Sequence, residues 1–318
     1  MLNGLIFTFL VLTIFTNPVL GQKMTLPPDY YETEKEFSDS LLNIVQQTGL
    51  DGDFDVGDDG IEKISFAVID MKKEKPVIGG VNMENFVYPA SVYKMYIAAA
   101  ILKKISNNKL KLNEIYVVKS PNDVDKSKEI FSDPRPLLRH GDTVTINYLL
   151  DLMITRSDNS AANCLIDIAA RPFINEMMRS YNWHGSEVTR KFLSRKFEDP
   201  GYDTIKGTET SALHAADFLY RIETNSLVNP WVSMQIKTFL GRQLDKSKLA
   251  AGLPDDVMFY HKTGWWSVYT NDAGIVDDGK LKYIIALFTP IEEELALPQM
   301  KELSYRVYHL MKRRNSFK

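Results

Sequence analysis

With 318 residues, 44% hydrophobic content and one cysteine, the chain can hold one large domain or two ordinary ones around a sizeable core. A net charge of −3 with dispersed basic residues argues against a nucleic-acid partner, and Lys312-Arg313-Arg314 reads as a solvated helix end. Cys164, being alone, excludes an intrachain disulfide, and the five histidines lack the H-x-H and H-x-x-x-H spacings of a metal site, so neither a metal nor a cofactor is expected.

In chain order, Leu5 to Leu20 is an uncharged apolar run broken by Asn17-Pro18 and followed by Val19-Leu20-Gly21. It predicts a signal peptide over residues 1–21, cut before Gln22, with no stable membrane insertion afterwards and a secreted or periplasmic product. Tyr31 to Gln47 has the spacing of an amphipathic helix. Ile64 to Asp70 and Val77 to Val81 read as paired strands across a charged turn, Lys72 to Lys75. Helical patterns then follow at Ser91–Lys104, Thr145–Arg156, Ser160–Ala170, Ala212–Glu223 and Trp231–Leu240. Strands return at Val257–Thr263, Thr270–Val276 and Leu281–Thr289, the last two joined by the turn Asp277-Asp278-Gly279-Lys280. A helix over Pro298–Met311 closes the chain. Strands at both ends with helices between them predict a discontinuous α/β domain, residues 22–86 and 241–318, holding an inserted helical domain, residues 87–240.

Three short motifs carry chemistry. Ser91-Val92-Tyr93-Lys94 opens a helical run, which places a hydroxyl near the positive helix end with an amine on the same face. Such an amine can take the serine proton, although a capping serine beside a surface lysine would look the same. Ser157-Asp158-Asn159 stands where one helix stops and the next starts, where any of the three could act as a cap. Lys262-Thr263-Gly264 lies at a strand end, where a cation and a hydroxyl can clamp a carboxylate and the glycine permits close backbone approach. Its plainer alternative is an ordinary strand end with an exposed lysine.

One such motif arises by chance; all three in this order resemble the set of class A β-lactamases and related penicillin-recognising serine hydrolases. The resemblance runs from about Ile64 to the C-terminus, and the motif spacings are close to those of class A enzymes. It implies an antiparallel sheet flanked by terminal helices, with an inserted all-α domain and the active site in the seam. It also implies Ser91 as nucleophile, Lys94 as proton acceptor and Ser157 as proton donor to the leaving nitrogen. Asn159 would bind the substrate amide and orient the lysine, Lys262 and Thr263 would bind the carboxylate, and the N–H groups of Ser91 and Trp265, on either side of the Gly264 approach, would form the oxyanion hole. The implied partner is a small β-lactam or D-alanyl peptide, acted on by a monomer.

The loop that carries the deacylating glutamate in class A enzymes departs from the pattern. Val188-Thr189-Arg190 resembles its start and Thr208-Glu209-Thr210-Ser211 its end, but counting inward lands on Ser194 or Arg195. Glu198 is the nearby carboxylate that a shifted loop could deliver; as plain structure it is a solvated loop residue. The sequence therefore predicts a serine β-lactamase working through an acyl-serine intermediate. The alternatives are a D,D-carboxypeptidase-like or esterase-like hydrolase, or a slowly deacylating penicillin-binding sensor. A second departure, Trp265-Trp266, would either narrow the cleft or stack on a substrate.

Overall fold

A computed structural model describes residues 28–57, 60–72, 74–125, 133–202 and 204–316. The apolar run and the expected cut before Gln22 lie outside them. Six strands form the central sheet: β1 (Glu32–Thr33), β2 (Ser65–Asp70), β3 (Val77–Val81), β4 (Met258–Trp266), β5 (Tyr269–Asp277) and β6 (Lys282–Thr289). Their order across the sheet is β1-β3-β2-β6-β5-β4, antiparallel except for the short parallel pairing of β1 with β3.

Alternation along the strands builds two cores, because successive side chains point to opposite faces. Phe66 and Val68 of β2, with Tyr283, Ile285 and Leu287 of β6, face α1 (Lys35–Gln47) and the C-terminal helix Glu293–Ser316. Ala67 and Ile69, with Ile284, Ala286 and Phe288, face the remaining helices. Those are α2 (Lys94–Ser106), α3 (Ile146–Thr155), α4 (Asn159–Ala169), α5 (Arg171–Ser180), α6 (Ala212–Glu223) and α7 (Pro230–Leu240). Every residue of α2 from Lys94 to Leu102 is buried, so this helix is the axis of the helical layer. Such a helix must be apolar all round, and Lys94 is the exception that needs partners.

Two elements differ from the sequence reading. The C-terminal helix, α8, starts at Glu293 rather than Pro298. Proline in the second turn removes one backbone hydrogen bond near the helix start, where the loss is small beside the burial of Ala296, Met300 and Leu303. The second is α5, absent from the reading, which begins with Pro172 in its first turn after Ala170 turns the chain at a φ of 64°. Cys164 is buried within α4, and burial pushes its thiol up to about 12, as suits an inert packing residue. Among the described residues no helix is long and apolar enough to cross a membrane.

Candidate active site

Ser91 does not sit in a regular first turn of α2. It lies in a 3-10 turn, Ala90–Tyr93, set up by a positive φ of 45° at Ala90, and is half-buried at the edge of β4. Gly264 of β4 makes this approach possible: a Cβ there would stand 2.5 Å from the Pro89 carbonyl oxygen and 3.0 Å from the Ser91 nitrogen. No other residue fits without moving the serine backbone. Asn271, paired with Gly264 across the sheet, fastens the same segment by donating to the Tyr88 carbonyl at 3.1 Å. The sheet edge thereby fixes the Ser91 and Trp265 backbones relative to each other.

The amine of Lys94, fully buried, donates to the Ser157 carbonyl at 2.7 Å, the Ser157 hydroxyl at 3.2 Å and Asn159 Oδ1 at 2.7 Å. Lys262 enters from β4, also fully buried, and donates to the same Ser157 hydroxyl at 3.0 Å and to the Thr263 carbonyl at 2.7 Å. A serine oxygen has two acceptor positions and one proton. With both positions taken by lysines, the Ser157 proton is left to point away from them. The three motifs thus converge on one hydroxyl. Behind Lys262, on the other face of β4, Lys246 faces Nε2 of the buried His261 at 3.2 Å and Asp272 faces its Nδ1 at 2.9 Å, while burial pushes the imidazole pKa below its ordinary value. That arrangement suits a neutral ring with its proton on Nδ1.

The central motif divides its labour. Asp158 caps α4 by accepting from the Ala161 N–H at 2.7 Å and pairs with the buried Arg156 at 2.8 Å. Ser157, at a φ of 60°, is turned the other way, toward Lys94 and Lys262. Asn159 holds Lys94 with its oxygen while its backbone N–H and Nδ2 reach Asp125, at 2.6 and 3.2 Å. Thr263 is buried beside Lys262, whereas Trp265 and Trp266 are 51% and 64% exposed at the strand end.

The loop before α6 brings an aromatic ring over Lys94. Phe192 lies over the Lys94 amine at 4.2 Å and stacks on Tyr93 at 4.6 Å. Asn163, one turn after Asn159 on α4, fixes it by accepting from the Phe192 N–H at 2.7 Å. Glu198 is held by the cations around it. Its fully buried carboxylate pairs with Arg171 of α5, lies 3.5 Å from Arg190 and accepts from the Lys191 N–H at 3.2 Å. Rather than a solvated residue, it joins the loop to α5. Ser194 and Arg195, the positions reached by counting, are exposed. Sequence reasoning missed Asp125, Phe192 and Arg171; only Asn163, a polar residue inside an apolar helix, offered a signal.

The sequence model of the β-lactamase enzyme family matches residues 55–309, most of the chain. The protein belongs to the β-lactamase enzyme family. Among its relatives, a β-lactamase of Bacteroides uniformis is 26% identical over 217 residues, 62% of this chain and 69% of that protein. β-Lactamase BRO-1 of Moraxella catarrhalis is 26% identical over 208 residues, 62% of each chain. In fold, this β-lactamase family member is similar to PBP-A, with a TM-score of 0.73 at 19% identity over 91% of this chain and 100% of that one. It is also similar to a β-lactamase from Sphaerobacter thermophilus, with a TM-score of 0.71 at 16% identity over 86% and 97%. Family and fold together support a serine hydrolase.

Proposed function

We propose that the protein opens β-lactam rings by acylation of Ser91. The observation that carries this reading is the Ser157 hydroxyl held between Lys94 and Lys262, beside the serine turn that Gly264 draws against β4. Ser91 Oγ attacks the lactam carbonyl carbon while its proton passes to Lys94, which in its neutral form gives up one of its three donor contacts and offers a lone pair instead. The developing oxyanion lies between the N–H groups of Ser91 and Trp265. Each such donor contributes about 100- to 1,000-fold in rate. As the carbon–nitrogen bond breaks, Ser157 passes its proton to the departing nitrogen and recovers one from the lysines behind it. Lys262 and Thr263 hold the substrate carboxylate, Asn159 the side-chain amide. A D,D-peptide ending in D-alanine offers the same carboxylate and the same reacting carbonyl. The apolar run before Gln22 supports an exported enzyme.

A second form of the reading, slow release of the acyl group, is favoured by one observation. The position over Lys94 holds the Phe192 ring, and the nearby carboxylate, Glu198, is consumed by Arg171 and Arg190. Intact mass spectrometry with benzylpenicillin decides between them: the expected result is an adduct of one penicillin mass that persists for minutes. Rapid return to the parent mass favours efficient hydrolysis, and no adduct or consumption of penicillin at all overturns acylation.

Lys262→Ala provides a second check. Hydrogen bonds to charged groups contribute about 1.5–3 kcal/mol, so acylation by penicillin should slow about 10- to 100-fold. A neutral activated ester, lacking the carboxylate, should lose less. Equal losses would make Lys262 a support for Ser157 alone.

A further inference from the structure

Asn159 can orient Lys94 only if its amide stands the right way round. The two ends of an asparagine side chain are nearly equal in size, so what lies beyond the NH2 group decides which end meets the lysine. In this chain that group is the carboxylate of Asp125. Its Oδ2 accepts from the Asn159 backbone N–H at 2.6 Å and its Oδ1 from Asn159 Nδ2 at 3.2 Å, while Asn159 Oδ1 accepts from Lys94 at 2.7 Å. An ionised carboxylate only accepts, so it compels the NH2 end toward itself and the oxygen toward the amine. Asp125 is buried, which strengthens both contacts.

The segment does not need this side chain to stay in place. Ser160 Oγ accepts from the backbone N–H groups of Val124 and Asp125 at 2.9 and 3.1 Å. Asn122 donates to Asp167 at 2.6 Å, and Ser120 to Asp123 at 2.7 Å. Among the described residues the Asp125 carboxylate contacts Asn159 alone. We propose that Asp125 is a positioning residue for acylation, fixing the Asn159 amide so that its oxygen holds Lys94 and its second N–H is presented to the substrate amide. This rests on the acylation reading above.

Asp125→Asn separates orientation from packing. The variant is nearly isosteric, yet it puts a donor where only acceptors stood, so the Asn159 amide is driven to turn its NH2 toward Lys94. Labelling by a fluorescent penicillin should slow by up to about 100-fold, the usual cost of a misplaced catalytic group. Asp125→Ala, which leaves the amide undirected, should be no more harmful. Combined with Asn159→Ala, Asp125→Asn should add little further loss, as coupled residues do. Equal losses with and without Asn159, or parent-like labelling of Asp125→Asn, would overturn the proposal. The crystal structure of the Asp125→Asn variant gives a readout independent of penicillin: the Lys94–Asn159 contact should open beyond hydrogen-bonding distance. An unchanged contact overturns the proposal even if the parent protein were not acylated, and absence of labelling in the parent would by itself count only against the acylation reading.

Discussion

Ser91→Ala is expected to abolish covalent labelling by a fluorescent penicillin. Removal of the nucleophilic serine from a Ser-His-Asp hydrolase costs about six orders of magnitude in rate, and a loss on that scale is expected here. Ser157 also carries a hydroxyl in this site, but both its acceptor positions are occupied by lysines. The variant should fold as the parent does, since alanine suits a half-buried position and Ser91 Oγ caps no helix. Peptide mapping after prolonged incubation is the check. A penicillin adduct recovered on Ser157 or any other residue would remove Ser91 from the mechanism.

Glu198→Gln should act on stability rather than on release of the acyl group. The carboxylate is fully buried against Arg171, itself 5% exposed, with Arg190 and the Lys191 N–H as further partners. Breaking a buried pair while leaving its cation in place costs about 3 kcal/mol or more, because the guanidinium is left without its counter-charge. For a chain of this size that lowers Tm by several degrees. The lifetime of the acyl-enzyme should stay that of the parent. A lengthened lifetime with an unchanged Tm would instead make Glu198 the group that activates water.

What the sequence disclosed depended on how far each property reaches along the chain. Ser91, Lys94, Ser157, Asn159 and Lys262 could be named because each sits in a short motif at an element boundary, and boundaries follow from local periodicity. The strands Val77–Val81 and Ser65–Asp70 were equally visible, since buried β-branched runs bounded by turn residues leave few alternatives. Phe192 and Asp125 were not visible, because their meaning arises only when a loop folds over α2 and α4. Glu198 was found by nearness in sequence to a loop pattern. Its partner Arg171 lies on a helix that the reading did not contain, so the ion pair that claims it could not be seen. The helical start expected at Ser91 became a 3-10 turn because of the strained Ala90 and the neighbouring Gly264, a pairing between chain segments far apart in sequence.

The meeting of Lys94 and Lys262 at a single oxygen has a consequence for folding as well as chemistry. When both buried amines carry a proton they repel each other across that atom, and Asp125, through Asn159, offsets part of the repulsion. A small anion bound beside the two amines would relieve that repulsion and, by mass action, draw the folding equilibrium toward the native form. On the carboxylate site proposed above, binding of anionic ligands and resistance to unfolding should rise together.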